Sequence, residues 1–206
     1  MTTAICFDCD GTLLRLERSY GEILTEAFET ELGHCSDELL SAYDEAFFAA
    51  FDALEPDPVE TAMAAALDST AVDGDPEALA EALHTVEQEA TTVPDGTRES
   101  LGALGETDRL AVITNGVGDW QRAKLAHHDL LSHFETVVTS YEAGAHKPDA
   151  APFEELRSRI DAEQYVMVGD DYEADIEGAR AAGFVPVHVE DGEEKPAFWA
   201  TLRAMV

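Results

Sequence analysis

Basic residues are scarce in this sequence of 206 residues, in which 12 lysines and arginines stand against 44 aspartates and glutamates. Lysine occurs only as Lys124, Lys147 and Lys195, and the formal net charge is −32. The acids are spread along the chain, which argues against a disordered acidic tail. Because repulsion on this scale destabilises a compact state unless salt screens it, we expect adaptation to a high-salt cytoplasm, as in a halophile. The same charge argues against binding to nucleic acid or an anionic membrane.

Cysteine and long apolar runs are also scarce. Cys6, Cys9 and Cys35 lack metal-ligand spacing and do not suggest a disulfide framework. No apolar run is long enough to span a bilayer and no signal peptide precedes Ala4, so we expect a cytoplasmic protein. The length suits one large domain or a core domain with an inserted smaller one.

Short apolar runs rich in β-forming residues punctuate the sequence. They are continuous rather than alternating, as in strands that are buried on both faces. Helical patterns separate the later runs, and this alternation predicts an α/β fold with a parallel sheet covered on both sides. The predicted strands are 4–7, 110–113, 136–139, 165–168 and 185–189, and the helices among them are 118–128, 151–160 and 172–182. In such a fold, sites form at the carboxyl ends of the strands.

Residues 15–92 have no strand-like run and carry Ala, Leu, Glu and Phe at helical spacing. Prolines at 56 and 58 and the turn at 73–76 divide this stretch into about four helices. We interpret it as an all-helical cap inserted into a sheet domain formed by 1–14 and 93–206. A module hinged by two connections can open and close over a site as a lid.

Two carboxylates follow the first predicted strand, at Asp8 and Asp10. In extended chain, residues i and i+2 point the same way, so both can face one pocket while Cys9 is buried on the opposite side. One carboxylate then suits a nucleophile and metal ligand, and the other suits a proton shuttle. The alternative is a simple turn at Asp10 and Gly11.

Polar residues also follow the later strands. Thr114 and Asn115 suit a phosphate oxygen, although Thr114 as a helix cap or Asn115 as part of a turn remains equally open. Lys147 is retained against a strong bias away from lysine, which indicates a functional role. Asp170, Asp171 and Asp175 would repel one another without a cation such as Mg²⁺, although they also suit the first turn of a helix.

Together these pieces resemble the four motifs of the haloacid dehalogenase superfamily of hydrolases. The first motif corresponds to residues 8–13, DCDGTL, the second to Thr114 and Asn115, the third to Lys147, and the fourth to Asp170 with Asp175. The resemblance implies a Rossmann-like five-stranded sheet in the order 5-4-1-2-3, and the inserted helices are similar to the subfamily with a small α-helical cap. It implies a Mg²⁺-dependent phosphatase that acts on a small phosphorylated metabolite.

The same resemblance implies roles for the residues of the first and fourth motifs. Asp8 would attack phosphorus and form an aspartyl-phosphate, and Asp10 would protonate the leaving oxygen and later deprotonate the attacking water. Mg²⁺ would be held by Asp8, the backbone carbonyl of Asp10, and Asp170. Asp175 would orient the metal ligands or the motif lysine. Asp171 replaces the usual Ser or Thr and is either an extra ligand or acidic drift.

The second and third motifs would bind the phosphoryl group. Thr114 and the Asn115 backbone N–H would hold its oxygens, and Lys147 would offset the charge on the nucleophile and the transferred group. The expected partner is a small phosphate ester, and the expected assembly is a monomer or homodimer. Alternatives are a 2-haloacid dehalogenase, which lacks an acid at the Asp10 position, a β-phosphoglucomutase-like phosphotransferase, and a catalytically silent binding module, which usually loses Asp8 or Asp10.

Overall fold

The computed structural model describes residues 2–189, 199 and 202–204. The chain divides into two compact units, which we call the sheet unit (Met1–Arg15 with Thr92–Val206) and the helical unit (Leu16–Thr91). Among the described residues, no helix combines the length and the apolar character needed to cross a membrane.

In the part of the chain that the structure describes, the sheet unit is built on five parallel strands, as predicted. They are β1 (Thr3–Phe7), β4 (Arg109–Thr114), β5 (Thr136–Thr139), β6 (Gln164–Gly169) and β7 (Val185–His188). Their spatial order among the described residues is β5-β4-β1-β6-β7. With these five strands numbered along the chain, this is the predicted order 5-4-1-2-3 read from the opposite edge, so the Rossmann-like fold class is confirmed.

Helices cover the strands of the sheet unit. They are α5 (Thr97–Leu104), α6 (Gly118–His127), a 3₁₀ turn (Leu131–His133), α7 (Ser140–Ala143), α8 (Ala150–Arg159), a π-helix (Tyr172–Glu177) and α9 (Gly178–Ala181). The sequence predicted a single helix over 172–182. The structure instead begins this segment with a π-helix. The backbone N–H of Gly178 donates to the carbonyl of Glu173, five residues back, and this longer spacing widens the helix.

Alternation along β1 divides the core between the two faces of the sheet. Ile5 and Phe7 join one buried cluster, and Ala4 and Cys6 join the other. Cys9 continues the parity of Phe7 and is completely buried in the same cluster. The alternation therefore turns Cys9 away from the aspartates that flank it, as the sequence predicted.

The helical unit comprises α1 (Tyr20–Leu32), α2 (Asp37–Asp52), α3 (Pro58–Thr70) and α4 (Pro76–Ala90) within 16–91, all of which the structure describes. Ser19 and Glu22 form a capping box at α1, and Asp75 accepts from the Glu77 N–H at α4. Phe28, Tyr43 and other buried side chains form this unit's own core.

One detail of the sequence prediction for 15–92 is wrong, because the stretch is not helical throughout. The two-residue strands β2 (Arg15–Leu16) and β3 (Thr91–Thr92) pair as a second small sheet. Beside them, the backbone N–H of Glu17 donates to the carbonyl of Ala90 at 2.9 Å. Strands of two residues are too short for a period-2 pattern, so the sequence carries no signal for them.

Candidate active site

The register of the sheet brings the ends of three strands to one place. Phe7 of β1 pairs with Val112 of β4 and Val168 of β6, and the Asp8 backbone N–H donates to the Val168 carbonyl at 2.8 Å. The residues that follow these strands therefore share one pocket of the sheet unit. Its lining is Asp8, Asp10, Thr114, Asn115, Lys147, Asp170, Asp171, Ala174 and Asp175, which includes all eight residues singled out from the sequence.

Lys147 lies at the centre of the buried part of this pocket. Its Nζ donates to Asp8 Oδ1 at 2.8 Å, Asp175 Oδ1 at 2.5 Å and the Ile113 carbonyl at 2.9 Å. An ammonium group has three donors, so all of them are satisfied. Because Asp8 and Asp175 meet the same ammonium, Lys147 offsets the repulsion between them.

The protonation states follow from this arrangement. Burial raises the pKa of the Asp8 carboxyl, Lys147 lowers it and Asp175 raises it, and the result is about 7. Burial lowers the pKa of Lys147, but the two carboxylates outweigh burial and hold that pKa above its ordinary value. Lys147 is therefore charged at neutral pH, and Asp8 changes charge near neutrality.

A set of carboxylates beside Lys147 fits a hard divalent cation. Asp8, Asp170 and Asp175 each offer an oxygen, and these oxygens lie within 4.8 Å of one another. Burial raises the pKa of Asp170, a shift that the hydroxyl of Thr12 opposes by donating to its Oδ1 at 2.8 Å. A side chain at Gly11 would collide with Asp170, so Gly11 leaves the room that this carboxylate needs.

Asp175 is already committed to other contacts. Its Oδ1 accepts from Lys147, and its Oδ2 accepts from the Asp171 backbone N–H at 3.1 Å. Asp8 and Asp170 are therefore the better candidates to hold a metal. Of the two roles that the sequence left open for Asp175, the contacts favour orientation of Lys147.

Asp10 lies beside this trio and is held by two residues that the sequence analysis missed. Lys124 Nζ lies 2.7 Å from Oδ1 and 2.8 Å from Oδ2 of Asp10, and Gln121 Nε2 donates to Oδ2 at 2.9 Å. Desolvation raises the pKa of the Asp10 carboxyl, but these donors and the Lys124 charge outweigh it and hold that pKa below its ordinary value. The rarity of lysine, which drew attention to Lys147, was an equal signal for Lys124. That the backbone carbonyl of Asp10 binds a metal stays a prediction.

The residues of the second strand end have separate contacts. Thr114 accepts from Gln121 Nε2 at 3.2 Å and is not a cap of α6, whose N-cap is Val117. The Asn115 side chain accepts from the Lys147 backbone N–H at 2.8 Å and donates to the Lys147 carbonyl at 3.0 Å. Asn115 therefore fastens the loop that carries Lys147.

Asp171 is exposed and caps the π-helix. Its Oδ1 accepts from the Ala174 backbone N–H at 2.8 Å, and it is not one of the three clustered carboxylates. These contacts favour the helix-capping role, which satisfies an N–H that the helix itself leaves unpaired.

Comparison with known proteins gives relatives in both sequence and structure. Ribulose-1,5-bisphosphate 5-phosphatase of Halopiger xanaduensis is 39% identical over 120 residues, which cover 57% of this chain and 50% of that protein. Phosphoserine phosphatase of Thermus thermophilus is 42% identical over 85 residues, which cover 40% of this chain and 34% of that protein. The chain thus spans half or less of the length of these two curated relatives.

Solved structures resemble the whole chain at lower identity. The HAD-hydrolase YfnB of Bacillus subtilis, solved with bound magnesium, has a TM-score of 0.72 at 21% identity, and the match covers 98% of each chain. A 2-haloacid dehalogenase of Pseudomonas syringae has a TM-score of 0.73 at 22% identity and full coverage of both chains. These two likenesses concern the fold. A sequence model of the haloacid dehalogenase-like hydrolases matches residues 2–183, and the chain therefore belongs to that family.

Proposed function

We propose that this protein is a Mg²⁺-dependent phosphomonoester hydrolase that works through an aspartyl-phosphate. The observation that carries the proposal is the buried contact of Lys147 with Asp8 and Asp175, next to Asp10 and Asp170 in one pocket. It gives a nucleophilic carboxylate, a charge-compensating cation and a second carboxylate for proton transfer. Phosphoryl transfer depends mainly on such positioning and charge compensation.

In the first step, a carboxylate oxygen of Asp8 forms a bond to phosphorus while the bond to the ester oxygen breaks. For this step Asp10 carries a proton: Lys124 and Gln121 oppose its protonation in the free site, and the negative charge of the bound phosphate dianion favours it. Asp10 donates that proton to the leaving oxygen, and Lys147 offsets the negative charge on the transferred group. Thr114 and the backbone N–H of Asn115 hold phosphoryl oxygens. When bound by Asp8 and Asp170, Mg²⁺ would supply charge neutralisation between the nucleophile and the phosphate dianion.

In the second step, Asp10 accepts a proton from water while the water oxygen attacks the same phosphorus. The bond between Asp8 and phosphorus breaks, inorganic phosphate leaves, and both carboxyl groups return to their starting states. The names of the Halopiger and Thermus relatives, each a phosphatase, support this ester class. The magnesium bound to YfnB supports the choice of metal.

The substrate that we propose is a small phosphorylated metabolite, and we propose that the helical unit acts as the lid. The chain leaves the sheet unit soon after Asp8 and Asp10 and returns to it at residue 92, so the lid would have two connections. A 2-haloacid dehalogenase is less well supported, because those enzymes lack an acid at the Asp10 position and here that acid lines the pocket.

A panel of phosphomonoesters tests the proposal, with release of inorganic phosphate measured in Mg²⁺ and in EDTA. We expect at least one small ester to be hydrolysed with Mg²⁺, and the rate to fall to background in EDTA. The Asp8→Asn variant should fall to background as well, because an amide oxygen is a poor nucleophile. Phosphate release that survives this replacement would disprove the covalent mechanism, and no release from any ester would disprove the function.

A further inference from the structure

Helix α6 buries a polar face where helices usually bury apolar side chains. Gln121 is 4% exposed and Lys124 is 2% exposed, next to the fully buried Leu125. Residues three apart lie on one side of a helix, so the amide and the ammonium group project together. Burial of an amine and an amide is costly unless both are paired, so their partners indicate what this face is for.

Both side chains meet on the carboxylate of Asp10. Lys124 Nζ contacts its two oxygens at 2.7 and 2.8 Å, and Gln121 Nε2 donates to Oδ2 at 2.9 Å. The Asp10 side chain is 45% exposed, although Lys124 beside it is almost completely buried. Lys124 and Gln121 therefore hold the Asp10 carboxylate from the buried side, while the carboxylate lines the pocket.

The Gln121 side chain is placed so that its amide nitrogen, and not its amide oxygen, makes hydrogen bonds to the part of the chain that the structure describes. Its Nε2 also reaches Thr114 Oγ1 at 3.2 Å, whereas its Oε1 is buried without a hydrogen-bond partner among the described residues. A Cβ at Gly116 would lie 2.5 Å from this Nε2, so the glycine leaves space for the amide. A buried acceptor without a partner is unfavourable, which indicates that the contacts of Nε2 determine this position.

We propose that Lys124 and Gln121 are positioning residues that hold the Asp10 carboxylate at the pocket in the orientation its proton transfers require. This role rests on the proposed function. A half-exposed aspartate side chain can rotate about two bonds unless other groups hold it. When a catalytic acid or base leaves its reactive geometry, the reaction slows. Lys124 and Gln121 fix both oxygens from a rigid helix and do not themselves touch the substrate.

The first test replaces Lys124 with methionine, which keeps an unbranched side chain and removes the ammonium. Folding should survive, because Asp10 retains contact with water and the buried site becomes apolar. We expect kcat to fall about ten- to hundredfold, while KM stays within about twofold. The loss in kcat/KM, which reports the step in which the ester oxygen leaves, should be larger for an alkyl phosphate than for p-nitrophenyl phosphate, whose leaving group needs less help from a proton donor.

The matched control is Arg122→Met on the same helix. Arg122 donates to the Val137 carbonyl and to Glu142 and has no hydrogen bond to Asp10 among the described contacts. This variant removes one cation from α6, as Lys124→Met does. Because it leaves the contacts of Asp10 intact, its kcat should stay within about twofold of the wild type. A second variant, Gln121→Met, keeps the pair of Lys124 and Asp10 and should lower kcat by a smaller factor than Lys124→Met.

A double-mutant cycle separates positioning from a general structural effect. If Lys124 acts through Asp10, Lys124→Met should lower kcat by no more than about twofold in an Asp10→Asn background. An equal loss of kcat in both backgrounds, or equal losses of kcat/KM for the two kinds of leaving group, would overturn this role. Should Lys124→Met fail to fold, Gln121→Met in the same two backgrounds decides the question.

Failure of this role can be told apart from failure of the proposed function. If the wild-type protein hydrolyses no phosphate ester, the function and the role fall together. If the wild type is an active Mg²⁺-dependent phosphatase and both variants keep its kcat, the role of Lys124 and Gln121 alone is overturned.

Discussion

At the scale of single residues, the site depends on one buried ammonium group. Lys147 stands between two carboxylates that would otherwise repel each other, and its third donor meets a backbone carbonyl. The net effect still leaves Asp8 with a pKa of about 7, because burial outweighs the attraction of the lysine. An ionised Asp8 is therefore unfavourable in the folded protein without a metal, and this has a measurable consequence for stability.

We expect Asp8→Asn to be more thermostable than the wild type at pH 8 in EDTA, by a few degrees. The unfolded Asp8 carboxyl loses its proton near pH 4, whereas the folded one keeps it until about pH 7. The unfolded state therefore releases its proton first as the pH rises, and the free energy of unfolding of the wild type falls over this range. Below about pH 4 both states are protonated, so the advantage of the variant should vanish.

Thermal melts of both proteins from pH 4 to pH 8 measure this difference. Saturating Mg²⁺ serves as the control, because a cation bound to the ionised carboxylate should remove the advantage of the variant. A difference in Tm that stays constant across the pH range would show that the protonation of Asp8 does not differ between the folded and unfolded states.

At the scale of elements, the strands were predictable and the helices beside the site were only partly so. Continuous apolar runs identify buried parallel strands because both faces of the sheet are covered, and the five predictions agree with the structure within one residue at each end. Helix α6 was predicted, but its buried polar face was missed, because a search for apolar periodicity assumes that the buried side of a helix is apolar. The widened π-helix after β6 has no distinct period that the sequence could reveal.

The π-helix provides a test of Asp171. We expect Asp171→Ala to lower the free energy of unfolding by about 1 kcal/mol, because the Ala174 N–H loses its cap. The Mg²⁺ affinity and the kcat of this variant should stay within about threefold of the wild-type values. Urea unfolding and a magnesium titration of activity measure the two effects.

Asp171→Asn is the matched variant, because asparagine still accepts a hydrogen bond at the cap while its charge is lost. It should keep most of the stability. A tenfold or larger loss of Mg²⁺ affinity in both variants would instead identify Asp171 as an additional metal ligand.

At the scale of the whole molecule, the charge of −32 dominates. Ion pairs such as Arg122 with Glu142 and Arg159 with Glu155 neutralise only a few of the acids, since the chain has 12 basic residues against 44 acidic ones. The remaining carboxylates repel one another over distances that dissolved salt controls, because the Debye length falls from about 10 Å at 0.1 M to about 3 Å at 1 M.

We therefore predict that Tm rises as KCl increases from about 0.1 M to about 2 M, with most of the gain in the lower part of that range. Differential scanning calorimetry at fixed pH measures it. NaCl at equal ionic strength is the control that separates screening from specific binding of potassium. A protein that is most stable in dilute buffer would contradict the expected adaptation to high salt.

The sequence by itself determined the sheet, the inserted helices and the set of polar residues at the strand ends. These are encoded locally, by the period of apolar residues and by the points where strands stop. Only the tertiary structure decided which of these groups touch. The contact of Lys124 with Asp10 joins residues 114 apart, and that of Lys147 with Asp8 joins residues 139 apart. Such contacts depend on the register of β1 against β4 and β6 and on which face of α6 is buried. Neither property can be predicted from a short segment of the sequence, because each is set by residues far apart in the chain.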